Sequence, residues 1–456
     1  MSSGFVHLHT HSSYSPMWGI PTLEALCQAA RTQGQDRLAL TATNGLYGAI
    51  RFLEVAKHEG LKPILGAELV HKAHRAVLLA KTPAGYANLC RLLSARHEES
   101  TFDFIAAVAR YRAGLIILSD DLSALRTWRK DSPKDVYVEL TPGSDIQEAI
   151  TFSRRNGLSP VATTRAACLH PTDFEAHRLL RAIADNTTLS RLRPERCCAP
   201  SHWLMPPTVI ERYLPHVSEA LTNSRRIADD CFTDWSFKET IFPLFRQLSA
   251  EAAFESLRTK TYEGAQRRYG TLSETVRHRI EAELAVIREK RYADYFLVVD
   301  EIVREAPRTC GRGSAAASIV SYCLGITHVD PIRHNLLFER FLNPGRHDPP
   351  DIDIDFPWDE RPKILEWVFV RYGAKQAAMV ANQNTLAPRA AMREIAKVYG
   401  LPAAEIGKAL DLLHRRADFV NVTEDSTLQT WASEVCCALQ LRPPWPDILF
   451  RAGQLQ

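Results

Sequence analysis

The sequence is short of the markers that would assign it to a specialised class. None of its ten cysteines stands in a Cys-x-x-Cys pair, and the adjacent pairs Cys197-Cys198 and Cys436-Cys437 suit neither a disulfide framework nor a zinc site. No apolar run is long enough to cross a bilayer, and no basic-then-apolar leader pattern follows Met1. Internal repeats and low-complexity tracts are also lacking. The net charge is only +3, so any affinity for nucleic acid must come from local clusters of cations. What is present is ordinary: 456 residues, 45% hydrophobic and 24% charged, enough for two or three domains. The expected setting is a reduced, cytoplasmic one without membrane contact.

Two stretches carry chemistry. In Asp351-Ile352-Asp353-Ile354-Asp355-Phe356, acids alternate with apolar residues, the period of a strand with three carboxylates on one face. Like charges ~4 Å apart cost on the order of 4 kcal/mol per pair at an effective dielectric near 20. A hard cation such as Mg²⁺ relieves that cost; an acidic edge strand facing water is the competing explanation. Upstream lies Cys310-Gly311-Arg312-Gly313-Ser314-Ala315-Ala316. Its glycines permit close backbone approach, Ser314 can cap a following helix, and Arg312 offers a forked cation, all features of a phosphate loop. The same letters fit a dinucleotide fingerprint, but Asp300 to Ala306 before them reads as helix. A P-loop is excluded because no Lys-Ser/Thr follows at the required spacing.

The first half alternates strands and helices. A buried strand around Phe5 to His11 carries His9-x-His11, two imidazoles on one face that can begin a metal site or serve as core histidines. A helix over Thr22 to Gln33, a strand over Arg37 to Thr41, a helix over Tyr47 to Glu59 and a strand over Pro63 to Glu68 imply parallel βα units. Further on, helices are expected over Glu219 to Asp230, Ala250 to Arg268 and Ser273 to Lys290. Thr271 and Glu274 have capping-box spacing ahead of the last of these, and another helix follows Tyr292.

Two resemblances rest on these residues. His-x-His-Ser, Leu-Thr-x-x-x-Gly-Leu-Tyr-Gly and Lys-Pro-Ile-Leu-Gly-Ala-Glu resemble the polymerase and histidinol phosphatase (PHP) domain at the front of bacterial family C DNA polymerases. Gly-Arg-Gly-Ser-Ala-Ala, Ser-Tyr-Cys-Leu-Gly-Ile-Thr, Leu-Leu-Phe-Glu-Arg-Phe-Leu-Asn-Pro and Asp-Pro-Pro-Asp-Ile-Asp-Ile-Asp-Phe resemble the palm of the same polymerases. The run Arg346-His347-Asp348-Pro349-Pro350 is similar to the error-prone branch.

The resemblance implies an α/β fold over residues 1–215, a PHP-type (β/α)7 barrel. It implies the first portion of a polymerase-β-like nucleotidyltransferase palm with lead-in helices over 216–378, and a helical thumb segment over 379–456. It further implies DNA-directed DNA polymerisation by two-metal nucleotidyl transfer, with primer-template DNA and deoxynucleoside triphosphates as substrates. Asp353 and Asp355 would be catalytic and hold two Mg²⁺ ions, with Asp351 just outside them. Arg312, Gly313, Ser314 and Arg340 would bind the nucleotide phosphates, though Arg340 could instead pair with its neighbour Glu339. Arg389 and Arg393, one helical turn apart, would face the primer-template backbone or form a solvated basic face.

In the barrel, His9, His11, Glu68 and His97 stand at positions of the family's metal ligands. Trp18, Ala42-Thr43, Asp120-Asp121 and Arg165 stand where the family has others. Bulk at Trp18 and charge at Arg165 oppose a cation, so the PHP metals, Zn or Mn, are expected to be lost and the barrel to act as a scaffold. A phosphoesterase using the remaining ligands, with Asp121 replacing a lost cysteine, is the rival. The family's third catalytic aspartate lies in a return segment of the palm beyond the thumb, which has no counterpart here. Activity is therefore expected to need a further chain, or the protein to be an inactive relic or an accessory DNA- and polymerase-binding protein.

Overall fold

A computed structural model of the chain describes residues 4–214, 217–237, 241, 243–306, 308–343, 345, 350–414 and 425–455. Residues 346–349 of the error-prone-like run lie outside the described residues. The chain forms two compact units, Met1–Trp235 with Gln383–Gln456, and Ser236–Asn382.

The first unit is built on six strands: β1 (Arg37–Thr43), β2 (Lys62–His71), β3 (His74–Ala80), β4 (Leu115–Ser119), β5 (Val136–Leu140) and β6 (Ser159–Ala162). They lie side by side in chain order. The pairs β1–β2, β4–β5 and β5–β6 are parallel, and β3 runs antiparallel between β2 and β4. Nearly every strand residue is buried, as in sheets covered on both faces. The segment expected as a strand at Phe5 to His11 is extended without joining the sheet as a regular strand. It nevertheless closes the sheet. Ala39 donates to His7 O and Thr41 to Thr10 O on the β1 side, while His11 and Ala166 exchange bonds through Ala166 O and His9 O beyond β6. The result is an α/β barrel of PHP type, with six regular strands and one irregular stave.

Its helices start where the sequence supplies caps: Thr22, Asp103, Asp121 and Asp145 each accept from a first-turn N–H. The helix Ser218–Asp230, which falls after the expected boundary at 215, packs on β6 in this unit. The tail helix Pro388–Val398 also belongs here. Its Ala391, Met392, Ile395 and Ala396 share a core with Leu179 and Ala182 of the helix Phe174–Ala184 and with Ile406, Leu410, Trp445 and Ile448.

The second unit packs the helices Ala250–Tyr269, Glu274–Glu289, Ala293–Arg304 and Ile319–Leu324 around Leu257, Ile280, Leu284, Ile287, Phe296, Leu297, Ile319 and Phe341. Ser273, not Thr271, caps the second of these through Val276 N–H. A two-stranded antiparallel sheet completes the unit: β7 (Cys310–Arg312) and β8 (Asp353–Asp355). No helix among the described residues is long and apolar enough to cross a membrane.

Candidate functional site

β8 is amphipathic in the way its alternation requires. Ile352 and Ile354 pack on the core of the second unit, while Asp351, Asp353 and Asp355 are exposed. The Tyr295 hydroxyl accepts from Ile352 N–H at 3.0 Å and fixes the strand from below. Strand pairing then brings the glycine loop to the acids: Cys310 faces Asp355, Gly311 faces Ile354 and Arg312 faces Asp353. Two glycines are required for this. Gly311 N–H donates to Ile326 O at 2.8 Å, and a Cβ there would lie 2.5 Å from the same oxygen. Gly313 has φ +77°, where an ordinary side chain is strained, and a Cβ would meet the Asp353 carboxylate at 3.5 Å. The exposed Arg312 donates from Nε to Asp355 Oδ1 at 3.1 Å. A cleft of about 520 Å³ opens beside Asp355, lined by Arg308, Cys310, His328, Phe356 and Pro357.

The loop is anchored differently from the sequence expectation. The helix expected before it is present and runs to Arg304, a three-residue strand over Cys310–Arg312 then enters the loop, and Ser314 leads into the 3₁₀ turn Ala315–Ala317 without capping it. Ser318 caps the next helix, Ile319–Leu324, through Ser321 N–H. The first N–H groups of that helix are taken by a buried acid: Glu283 accepts from Ile319 N–H at 3.1 Å, Val320 N–H at 3.3 Å and Ser318 Oγ at 2.7 Å. Arg279 Nε donates to the same carboxylate at 2.7 Å. Burial pushes the Glu283 carboxyl up against the pull of Arg279 and these N–H groups. That helix N-terminus is therefore closed to a phosphate, and any phosphate contact must come from the loop itself. Arg340 is exposed and makes no ion pair with Glu339 among the described residues.

In the barrel, His9 and His11 meet Nε2 to Nε2 at 3.2 Å, with Glu68 oxygens 3.4 Å from His9 and 3.8 Å from His11. This is the group among the described residues whose donor atoms could surround a metal ion. Its surroundings carry four further charged side chains. Glu139 Oε1 lies 2.6 Å from His9 Nδ1, and Arg165 Nη2 donates at 2.9 Å to both Glu139 and Asp120. Arg75 Nη2 donates to Asp120 at 2.6 Å, and its Nε lies 3.8 Å from Glu68. Burial favours a neutral His9, but Glu139 and Glu68 outweigh it and raise its pKa. Burial also favours a neutral Glu68, which His11, His9 and Arg75 hold well below the usual carboxylate range. His11 is pushed down to about 3 by burial, so it stays neutral.

The comparisons with known proteins bear on both units. Residues 7–140 match the PHP domain, and residues 255–436 match the bacterial DNA polymerase III alpha NTPase domain. The chain thus matches a PHP domain followed by a bacterial DNA polymerase III alpha NTPase domain. It is 34% identical over 463 residues to an error-prone DNA polymerase of Symbiobacterium thermophilum, covering 90% of this chain and 42% of that protein. It is 32% identical over 449 residues to the DNA polymerase III subunit alpha of Bacillus subtilis, covering 90% of this chain and 40% of that protein. The chain thus spans about two fifths of the length of these curated relatives. Among solved structures, a putative metal-dependent phosphoesterase from Bifidobacterium adolescentis matches over 35% of this chain and 86% of that one, at 12% identity and TM-score 0.27.

Against the PHP ligand positions, the structure brings His9, His11 and Glu68 together but not His97. The exposed His97 sits late in the helix Pro83–Glu98 and donates from Nε2 to Asn44 O at 2.7 Å. Asp121 does not join the group either. It bonds His74 Nδ1 at 2.6 Å and Ser123 Oγ at 2.6 Å, and caps the helix Leu122–Asp131. Trp18 stands edge-on to His11, with ring centroids 6.4 Å apart. Thr43 fills part of the former ligand space by donating to Glu68 at 2.9 Å.

On the polymerase-like tail, Arg389 is tied to Leu410 O at 3.2 Å and Asp411 at 2.9 Å. Arg393 is exposed beside Lys397 and lines a cleft of about 470 Å³ with Asn186 and Gly400. Sequence reading missed Glu139, Arg75 and Glu283. Glu139 is a lone charge inside the apolar run Val136 to Leu140, and that isolation was the available signal; Arg75 and Glu283 stand among other charged residues and carry none.

Proposed function

We propose that this chain is an alpha-subunit-like DNA polymerase component that contributes part of a nucleotidyl-transfer site, with the barrel as its scaffold. The observation that carries this is the direct pairing of β7 with β8, which sets a glycine loop and its arginine against two exposed carboxylates. The palm would be of the polymerase-β-like type. Asp353 and Asp355 fit hard cations in kind, being exposed oxygen donors on one face, with the exposed Asp351 next along the same face. Bound there, two Mg²⁺ ions would supply charge neutralisation and activation of the attacking hydroxyl.

The chain's own residues do the rest. Asp353 and Asp355 hold the cationic field at one edge of the cleft. Gly313 leaves room for a triphosphate, Ser314 offers a hydroxyl, and Arg312 exchanges Asp355 for phosphate oxygens when nucleotide enters. Arg340 supplies a second free cation. The substrates would be deoxynucleoside triphosphates and primer-template DNA, in a cytoplasmic setting. Arg393, with Arg389 behind it, would meet the DNA backbone. With Asp353 and Asp355 as its metal-holding pair, turnover would need a further carboxylate from outside the described residues. The alternatives, an inactive relic or an accessory DNA-binding protein, share the fold but need no intact acid pair. The phosphoesterase alternative is disfavoured by Arg165, whose charge occupies the barrel site, so Zn or Mn would be absent from it.

Primer extension with Mg²⁺ and four deoxynucleotides, run beside Asp353→Ala/Asp355→Ala, tests the proposal. The expected result is no extension by the chain alone. Extension that vanishes in the double variant would overturn the need for a further carboxylate. Extension unaffected by it would overturn the site.

A further inference from the structure

We propose that Arg165 is the built-in cation of the barrel, and that removing it converts the pocket into a divalent-cation site. The inference rests on the reading of the barrel as a metal-free scaffold and says what took the metal's place. Two guanidiniums, Arg75 and Arg165, already pair with the three acids Glu68, Glu139 and Asp120. A divalent ion entering beside them would bring two further positive charges against two fixed cations in a largely buried site.

Arg165 is placed for this role at a cost to the backbone. It lies just beyond β6, next to Ala166, which exchanges backbone bonds with His9 and His11 of the closing stave, and it adopts φ +47°, a left-handed conformation unfavourable for a non-glycine residue. Its side chain is buried, and one nitrogen, Nη2, bridges two acids that face each other across the pocket. Bridging opposed carboxylates from the centre is what a metal ion does. The orientation of His9 is also that of a metal ligand: Nδ1 is held by Glu139 and Nε2 is turned toward His11 and Glu68, the arrangement that carboxylate–histidine pairs impose on ligating imidazoles. An entry path exists, because Asp120 and Arg75 line an open cleft of about 510 Å³ with Lys72, His74, Asp121 and Ser123.

The test measures thermal midpoint and bound metal on the full chain, wild type against Arg165→Ala, with Mn²⁺, with Zn²⁺ and with EDTA. The wild type is expected to carry far less than one metal per chain and to keep its midpoint in all three conditions. Arg165→Ala is expected to melt lower and to recover with Mn²⁺ or Zn²⁺, saturating near one ion per chain. Adding Glu68→Gln to that variant should abolish the recovery. A wild type that retains metal and loses its midpoint in EDTA overturns the scaffold reading. A metal-free wild type whose Arg165→Ala variant ignores both ions overturns this inference alone. If Arg165→Ala does not fold in any condition, Arg165→Gln, which keeps a donor but removes the charge, is read the same way.

Discussion

Arg165 is the single side chain whose loss should be felt most by the first unit. Truncation leaves Glu139 and Asp120 without their shared partner, and breaking a buried ion pair in this way costs about 3–5 kcal/mol. Arg165→Ala should therefore lower the unfolding midpoint of the barrel in urea or heat, while an exposed control such as Arg51→Ala moves it by no more than ~0.5 kcal/mol. The exposed β8 acids behave oppositely. Asp353 and Asp355 are exposed, so Asp353→Ala/Asp355→Ala should leave the unfolding midpoint unchanged within the same ~0.5 kcal/mol.

This contrast also explains what could be read from the sequence. The β8 acids declared themselves by strict alternation, and His9-x-His11 by spacing. Glu139 did not, because one inward acid in Val136-Tyr137-Val138-Glu139-Leu140 looks the same in sequence as one outward acid. Arg165 could be recognised as opposing a metal. Its partners could not, since Glu139 comes from β5 and Asp120 from the segment after β4.

At the scale of elements, the short helix Ile319–Leu324 is the most dependent on outside support. Six residues cannot hold a helix in water on their own, and Glu283 and Ser318 hold its first turn. Glu283→Ala should destabilise the second unit by about 3–5 kcal/mol by stranding Arg279 and three donors, and Ser318→Ala by about 1 kcal/mol. Both are readable by hydrogen exchange at Ile319 and Val320.

Glu301 gives a pH signature in the same unit. Burial would raise its carboxyl, but Arg371, Arg246 and Tyr372 outweigh that and lower it to about 2. A depressed carboxylate stabilises above its unfolded value near 4.5, and that contribution is lost as pH falls toward 2. Glu301→Gln should therefore cost about 1 kcal/mol at pH 7, after screening at this partly solvated site, and nothing near the acid limit. Thermal melts across pH read the difference.

On the tail helix Pro388–Val398, Arg393→Ala should weaken binding to primed DNA and lower the salt slope by roughly 0.9. Arg389→Ala should mainly loosen the tie to Asp411. The long helices were legible from their 3.6-residue periodicity. The cap at Ser318 was hidden by the competing Ser314, and β7 was too short to announce itself.

For the molecule as a whole, the fold class followed from alternating strands and helices and from motif resemblance. The grouping of the tail helices with the barrel did not. It depends on apolar faces, Ala391 and Ile395 against Leu179, that carry no sequence label for their partner. The chain spans about two fifths of its curated relatives, and the second unit leaves Trp358, Val370 and Val380 more than four-fifths exposed.

The central claim is that β7 and β8 form a working nucleotide-binding half-site. Equilibrium binding of a deoxynucleoside triphosphate, with and without Mg²⁺, to wild type and to Asp353→Ala/Asp355→Ala tests it most directly. The account predicts Mg²⁺-dependent binding by the wild type that weakens at least about tenfold in the variant, a loss of ~1.4 kcal/mol, with both proteins folded alike. Binding that is the same in both, or absent from a folded wild type, would contradict it.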